Sequence, residues 1–260
     1  VQTIYLKLSG VGPLQEGRLD LRKQTIMIGN TTYKADQIPL EIPVNGTVYG
    51  TLLNYHGAYE QLKPAMNEAP YEKPPKAPIL YIKPMNTFAA TASSIPCPES
   101  AVEIGAALGI VIAKTAKKVS EANALDYIKG YTIANDVSIP HDSVYRPAVK
   151  EKARDGFCPI GPWIMDKTAV DNPNNLEVRV LVNGVVKQRS NTNQLIRSVE
   201  KLLCDVTEFM TLAKGDVLLV GIPENPPRVK ANERVQIEIE KVGTLENTIV
   251  TESLPAGGRI

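Results

Sequence analysis

The sequence is short of cysteine, of charge of one sign and of long apolar runs, and each shortage removes a class of protein. Three cysteines, Cys97, Cys158 and Cys204, are spread over 260 residues with no C-x-x-C. Neither a disulfide framework nor a cysteine-based zinc site is expected, and a reducing cytoplasm is the simplest compartment. Basic and acidic residues nearly cancel, 29 against 28, and no basic run occurs. The electrostatic footprint of a nucleic-acid binder is therefore missing. No apolar stretch approaches the roughly 20 residues of a membrane-spanning helix. The opening VQTIYLKLSG lacks the charged-then-apolar layout of a signal peptide. Internal repeats and low-complexity segments are also absent.

What the chain does have is punctuation: twenty prolines and eighteen glycines. Together with many valines and isoleucines, they favour a strand-rich α+β fold with few helices. A hydrophobic share of 43% in this length supports one large core or two modest ones. Residues 1–50 read as a small strand-rich segment, and 51–260 as the main domain. Within 54–62 one or two helical turns are expected. Residues 63–86 form a proline-dense connector, interrupted by a short strand at 79–82.

Residues 108–113 and 131–134 are apolar runs of buried-strand type. Between them, Ser120 suits a helix N-cap, 122–129 has helical spacing, and Gly130 stands where a C′ glycine belongs. Residues 175–182 alternate and meet Asn183-Gly184, a type I′ hairpin signal, before a return strand. Leu195, Val199, Leu202, Val206 and Phe209 recur at helical spacing and predict the longest helix. Strands follow at 217–220, 234–240 and 248–251, and 255–260 is expected to fray.

The second buried run delivers Asn135-Asp136 at its end. A carboxylate there is costly unless it is paired or bound to a cation. The following loop carries Arg146, Lys150, Lys152, Arg154 and Asp155. Charge concentrated over a buried scaffold is the usual setting of a site.

The strings YIKP, YIKGYTIANDVS, YRPAVKEKARDGFCPIGPW, NGVVKQRSNT, FMTLAKGDVLLVGIP and GTLEN, in this order, resemble the fumarylacetoacetate hydrolase family over about 48–251. Within it, YRPAVKEKARDGFCPIG is similar to the N-terminal half of the isomerase/decarboxylase branch of homoprotocatechuate (4-hydroxyphenylacetate) breakdown. The resemblance implies a mixed β-sandwich roll, a homodimer or a heteromer with a homologous subunit, and a small-molecule oxo-acid substrate. It also implies Mg²⁺ or Mn²⁺, acting as a Lewis acid on a chelated 2-oxo acid.

Residue by residue, the resemblance gives Asp136 as a metal ligand; otherwise it is an Asn-Asp turn. The family's Glu-x-Glu ligand pair aligns with Gly105 and Ala107, so both carboxylates are missing. Glu103 replaces them only if the chain bulges, and is otherwise an exposed glutamate. Lys152 and Asp155 match the family's lysine and aspartate, with Asp155 expected as counter-charge to Lys152. Arg146 suits a remote substrate carboxylate. Gln188 and Thr192 match a Q-x-x-N-T substrate-binding segment, although Thr192 also suits a helix N-cap. His56 and Glu60, at i and i+4, form a displaced version of the family's acid/base dyad. His141 and Ile222 replace an aspartate and a threonine. Cys158 reads as a small core residue. Lys152 is expected to share one cavity with Asp136, Asp155 and Arg146.

Three activities follow from the resemblance. The first is decarboxylation and isomerisation of a dicarboxylic 2-oxo (2-hydroxy-diene) acid. The second is a metal-depleted partner subunit of a catalytic homologue. The third is acylpyruvate-type C–C hydrolysis, which the missing Glu-x-Glu disfavours, because activating water needs a well-held ion.

Overall fold

Period-two burial builds most of the chain. Val178, Val180 and Val182 are buried while the residues between them are half exposed, and Val235, Ile237 and Ile239 repeat the pattern. Such faces must be covered, and two sheets cover each other. In the computed structural model, which describes residues 1–98, 101–141 and 143–252, one sheet has twelve strands and another five. The expected tail at 255–260 lies outside the described residues.

The long path of the large sheet runs Thr31–Lys34, Thr25–Ile28, Val11–Asp20, Gln2–Leu8, Cys158–Asp166, Ile128–Asn135, Ala106–Ile112, Val217–Leu219, Val48–Leu52, Ile79–Lys83. The first fifty residues thus extend this sheet, with Ile4 opposite Met165, and a boundary at residue 50 falls inside the Val48–Leu52 strand. The small sheet runs Val185–Asn191, Glu177–Val182, Arg234–Ile239, Gly243–Thr251, Ser94–Cys97. Its hairpin turns at Asn183 and Gly184, both at positive φ (51° and 79°), as a type I′ turn requires.

The main core lies where the sheets meet and includes Leu108, Ile110, Tyr131, Ile133, Val180, Ile237 and Leu245. Each such side chain contributes about 1.5–3 kcal/mol on burial. A second core, on the opposite face of the large sheet, holds Ala107, Val111, Ala134, Cys158, Ile160 and Ile164. Residues 106–112 and 128–135 are buried strands, as their composition implies, and the structure pairs them antiparallel.

Two local expectations are corrected. The connection before Ile128 is a 3-10 helix, Glu121–Tyr127, and Ser120 makes no side-chain cap. Gly130 sits inside the strand, where a Cβ would lie 2.0 Å from the Met165 carbonyl oxygen. It is glycine for close strand approach, not for a helix end. The longest α-helix is Val199–Phe209, starting four residues after Leu195. Leu195 is instead bridged to Tyr55, and the Ile196 amide donates to the Asn54 carbonyl at 2.7 Å. The helix begins where Ser198 Oγ accepts from the Lys201 amide at 3.1 Å, a cap worth about 1 kcal/mol. Among the described residues, no helix is long and apolar enough to cross a membrane.

Candidate active site

Alternation sends Asp136 to the second-core face of the large sheet, just past the Ile128–Asn135 strand. Its side chain is fully buried. Lys83 Nζ lies 2.8 Å from Oδ1 and Lys152 Nζ 2.8 Å from Oδ2, with side-chain exposures of 0% and 13%. The Tyr81 hydroxyl also donates to Oδ2. Burial alone would push the Asp136 carboxyl up, but the Lys152 and Lys83 ammonium groups outweigh it and hold it well below the usual range. Burial, then the Asp136 charge, pushes the Tyr81 phenol well above its ordinary value, so it remains a donor.

Tyr81 and Lys83 come from the edge strand Ile79–Lys83, on one face of it. Gly50, opposite Tyr81, makes their reach possible. A Cβ at Gly50 would fall 2.1 Å from the ring's Cζ, so the ring crosses where a side chain would otherwise stand. Lys83 Nζ further donates to the Lys152 carbonyl at 2.6 Å and the Val137 carbonyl at 3.5 Å. Sequence reasoning gave these two residues no role. The available signal was a lysine in alternation with a tyrosine on a short apolar strand, which requires a buried counter-charge.

Lys152 ends a one-turn helix, Val149–Lys152, and borders a cavity of about 540 Å³. Tyr81, His141, Tyr145, Arg146 and Val149 line it as well. His141 Nδ1 lies 2.9 Å from the Ile139 carbonyl oxygen. Arg146 is exposed at the cavity, so the structure brings Lys152 and Arg146 together. Asp136 sits behind Tyr81 and Lys152 rather than on the cavity wall.

Other candidates stand elsewhere. Asp155 is exposed and accepts from Asn86 Nδ2 at 2.7 Å; the counter-charge of Lys152 is Asp136, 16 positions away. His56 and Glu60 share the helix His56–Leu62, but both are exposed, and Glu60 pairs with Lys63 at 2.8 Å. Neither lines the cavity. Thr192 is buried and fully used: its hydroxyl donates to the Pro173 carbonyl and accepts from the Leu176 amide, both at 2.8 Å. It caps no α-helix; Ser198 does. Gln188 Nε2 donates to the Glu224 carbonyl at 2.6 Å, while its buried Oε1 has no partner among the described residues. Cys158 is buried, and burial pushes its thiol up to about 12, so it behaves as a core residue.

The donors around Asp136 do not fit a divalent ion. Both carboxylate oxygens are engaged by ammonium groups. The Glu103 carboxylate is drawn to Arg228 Nε at 3.1 Å. Ala107 packs in the second core. A Cβ on Gly105 would lie 2.5 Å from the Asp136 carbonyl oxygen and 2.8 Å from Ile222 Cδ1. Among the described residues, no three His, Cys, Asp or Glu side chains converge as a metal site. Like charges 4 Å apart repel by about 4 kcal/mol per pair of unit charges at an effective dielectric near 20, and a divalent ion here would face two ammonium groups.

Comparison with known proteins agrees with this fold and motif order. The 4-hydroxyphenylacetate degradation bifunctional isomerase/decarboxylase of Escherichia coli is 39% identical over 210 residues, 80% of this chain and 48% of that protein. The chain thus spans about half the length of that relative. The mitochondrial oxaloacetate tautomerase fahd2 of Xenopus laevis is 36% identical over 189 residues, 68% of this chain and 59% of that protein. The crystal structure of 2-hydroxyhepta-2,4-diene-1,7-dioate isomerase from Mycobacterium marinum superposes with a TM-score of 0.78 at 26% identity, covering 98% of this chain and 100% of that one. Residues 47–250 match the family described as fumarylacetoacetate (FAA) hydrolase C-terminal, and the chain belongs to that family.

Proposed function

We propose that this chain acts on a dicarboxylic 2-oxo acid or its 2-hydroxy-diene tautomer in aromatic catabolism, as an isomerase and decarboxylase in a reducing cytoplasm. The observation that carries the reading is the Lys152 ammonium, anchored on Asp136 and bordering a cavity that also has Arg146 on its wall. Relatives named for an isomerase/decarboxylase and for a 2-hydroxyhepta-2,4-diene-1,7-dioate isomerase support the substrate class.

Both reactions pass through a dienolate whose charge rests on the C2 oxygen. Decarboxylation forms it by releasing CO₂ and leaving the electron pair in the conjugated system. Isomerisation forms it by loss of the enol proton to solvent in the open cavity, and return of a proton from solvent to carbon then gives the oxo product. Lys152 is the donor to that oxygen, and its contribution grows as charge develops there. Arg146 takes the remote carboxylate, where a planar, permanently charged fork suits the ligand.

A second reading is favoured by one observation: among the described residues, no set of donors around Asp136 suits a metal. In it, the chain is one subunit of a heteromer whose homologous partner performs a metal-dependent step. The acylpyruvate hydrolase reading has no comparable support.

Steady-state kinetics on 2-hydroxyhepta-2,4-diene-1,7-dioate test the proposal. Lys152→Met should lower kcat by about 10²–10³ with KM little changed. Arg146→Met should mainly raise KM, by about tenfold or more. Unchanged kinetics in both variants would remove this cavity as the site. A purified wild-type chain that turns over only after a homologous subunit is added would establish the heteromer reading.

A further inference from the structure

The charge balance around Asp136 identifies the kind of ligand its neighbours await. Asp136 supplies one negative charge and Lys83 and Lys152 two positive ones, all within 2.8 Å contacts. One positive charge is left over in a buried setting, where an uncompensated charge is costly. The two lysines are not equivalent. Lys83 is wholly buried, is ion-paired with Asp136 Oδ1 at 2.8 Å, and donates to the Lys152 and Val137 carbonyls. Lys152 has one acceptor among the described residues, Asp136 Oδ2, and its head lies 5.3 Å from the centre of the Tyr81 ring at the cavity wall. Its other two N–H groups have no acceptor among the described residues, and Lys152 is part of the cavity lining. Tyr81, donating to the same Oδ2, stands between Asp136 and the cavity and withholds the carboxylate from any cation there.

We infer that this is a metal-independent oxyanion site: Lys152 binds the oxygens of a 2-oxo acid directly, with Lys83 supplying the charge that elsewhere a divalent ion would supply. The inference rests on the reading that the cavity takes an oxo-acid, and deepens it by naming how the anion is held. It differs from a weak metal site in a measurable way. A weak metal site gains oxo-acid affinity when Mg²⁺ is added, because the ligand completes the coordination shell. An ammonium site is indifferent to Mg²⁺.

The experiment is a calorimetric titration of the wild-type chain with oxalate, in EDTA and again in excess Mg²⁺, beside a Mn²⁺ titration followed by electron paramagnetic resonance. The expected result is oxalate affinity, counted on oxalate not complexed by Mg²⁺, equal within about twofold in the two buffers, and a Mn²⁺ signal that adding the protein leaves unchanged, with and without oxalate. Lys152→Met should weaken oxalate by at least about tenfold. Lys152→Gln, which keeps a hydrogen-bond donor but not the charge, serves if the methionine variant does not fold. Oxalate binding that requires Mg²⁺ would overturn the inference. So would one Mn²⁺ bound per chain, unchanged affinity in both Lys152 variants, or no oxalate binding in either buffer. A chain that binds oxalate in EDTA yet fails to turn over a dienedioate would sink the proposed activity and leave this inference standing. Turnover abolished by EDTA and restored by Mg²⁺ would do the reverse.

Discussion

Two aspartates are buried beside the large sheet, and they are satisfied by different kinds of partner. Asp216 opens the strand Val217–Leu219 and accepts from two backbone amides, Thr47 at 2.8 Å and Ala213 at 2.7 Å. Asp136 follows the strand Ile128–Asn135 and is held by three side chains from two distant segments, Tyr81, Lys83 and Lys152. Backbone amides are fixed dipoles that cannot leave without unfolding the turn, so Asp216 braces the chain. Ammonium groups on flexible stems carry full charge, and one of them reaches a cavity. Equal burial therefore says little about function; the mobility and charge of the partners separate a brace from a site.

The comparison can be broken by truncating each carboxylate. Asp136→Ala strands the Lys83 ammonium in the interior, and a loss of about 3–5 kcal/mol is expected by chemical denaturation, the range for breaking a buried ion pair from one side. Asp216→Ala leaves two amides to be satisfied by water or relaxation, and about 1–3 kcal/mol is expected in the same measurement. Equal losses would mean that Asp136 is a brace like Asp216.

The smallest effect is sought in acid. The folded-state value of Asp136 lies below its ordinary 3.8, because the ammonium groups outweigh burial. The folded chain thus takes up this proton less readily than the unfolded chain. The stability it contributes is present above the unfolded value and is lost as pH falls through the folded one. Urea midpoints measured downward from pH 5 should fall more steeply for the wild type than for Asp136→Asn. Parallel curves would show that the carboxylate is not the titrating partner.

Much of this arrangement was legible in the chain. The alternation at 175–182 and 234–240, the Asn183-Gly184 turn and the two apolar runs, the second of which delivers Asp136, are local signals, and local signals survive folding. Lys152 stood out because its motif is long, and the structure sets it against Asp136. Tyr81 and Lys83 were missed because what gives them a role lies 55 and 53 positions away and depends on how the sheet curls. Thr192 and Leu195 misled for the same reason: a hydroxyl that suits a cap, and an apolar residue in helical register, were both claimed by segments remote in sequence. Gly130 looked like a helix end because a glycine does not declare whether it serves a left-handed turn or a crowded contact.

Gly105 has a consequence for redesign. A Cβ there would lie 2.5 Å from the Asp136 carbonyl oxygen and 2.8 Å from Ile222 Cδ1. A glutamate introduced by one substitution meets main chain before it meets a cation. Building a carboxylate cage beside Asp136 therefore takes several changes made together, with the carbonyl and Ile222 moved as well as the glycine replaced. Single substitutions leave the chemistry of this place to two lysines and a tyrosine.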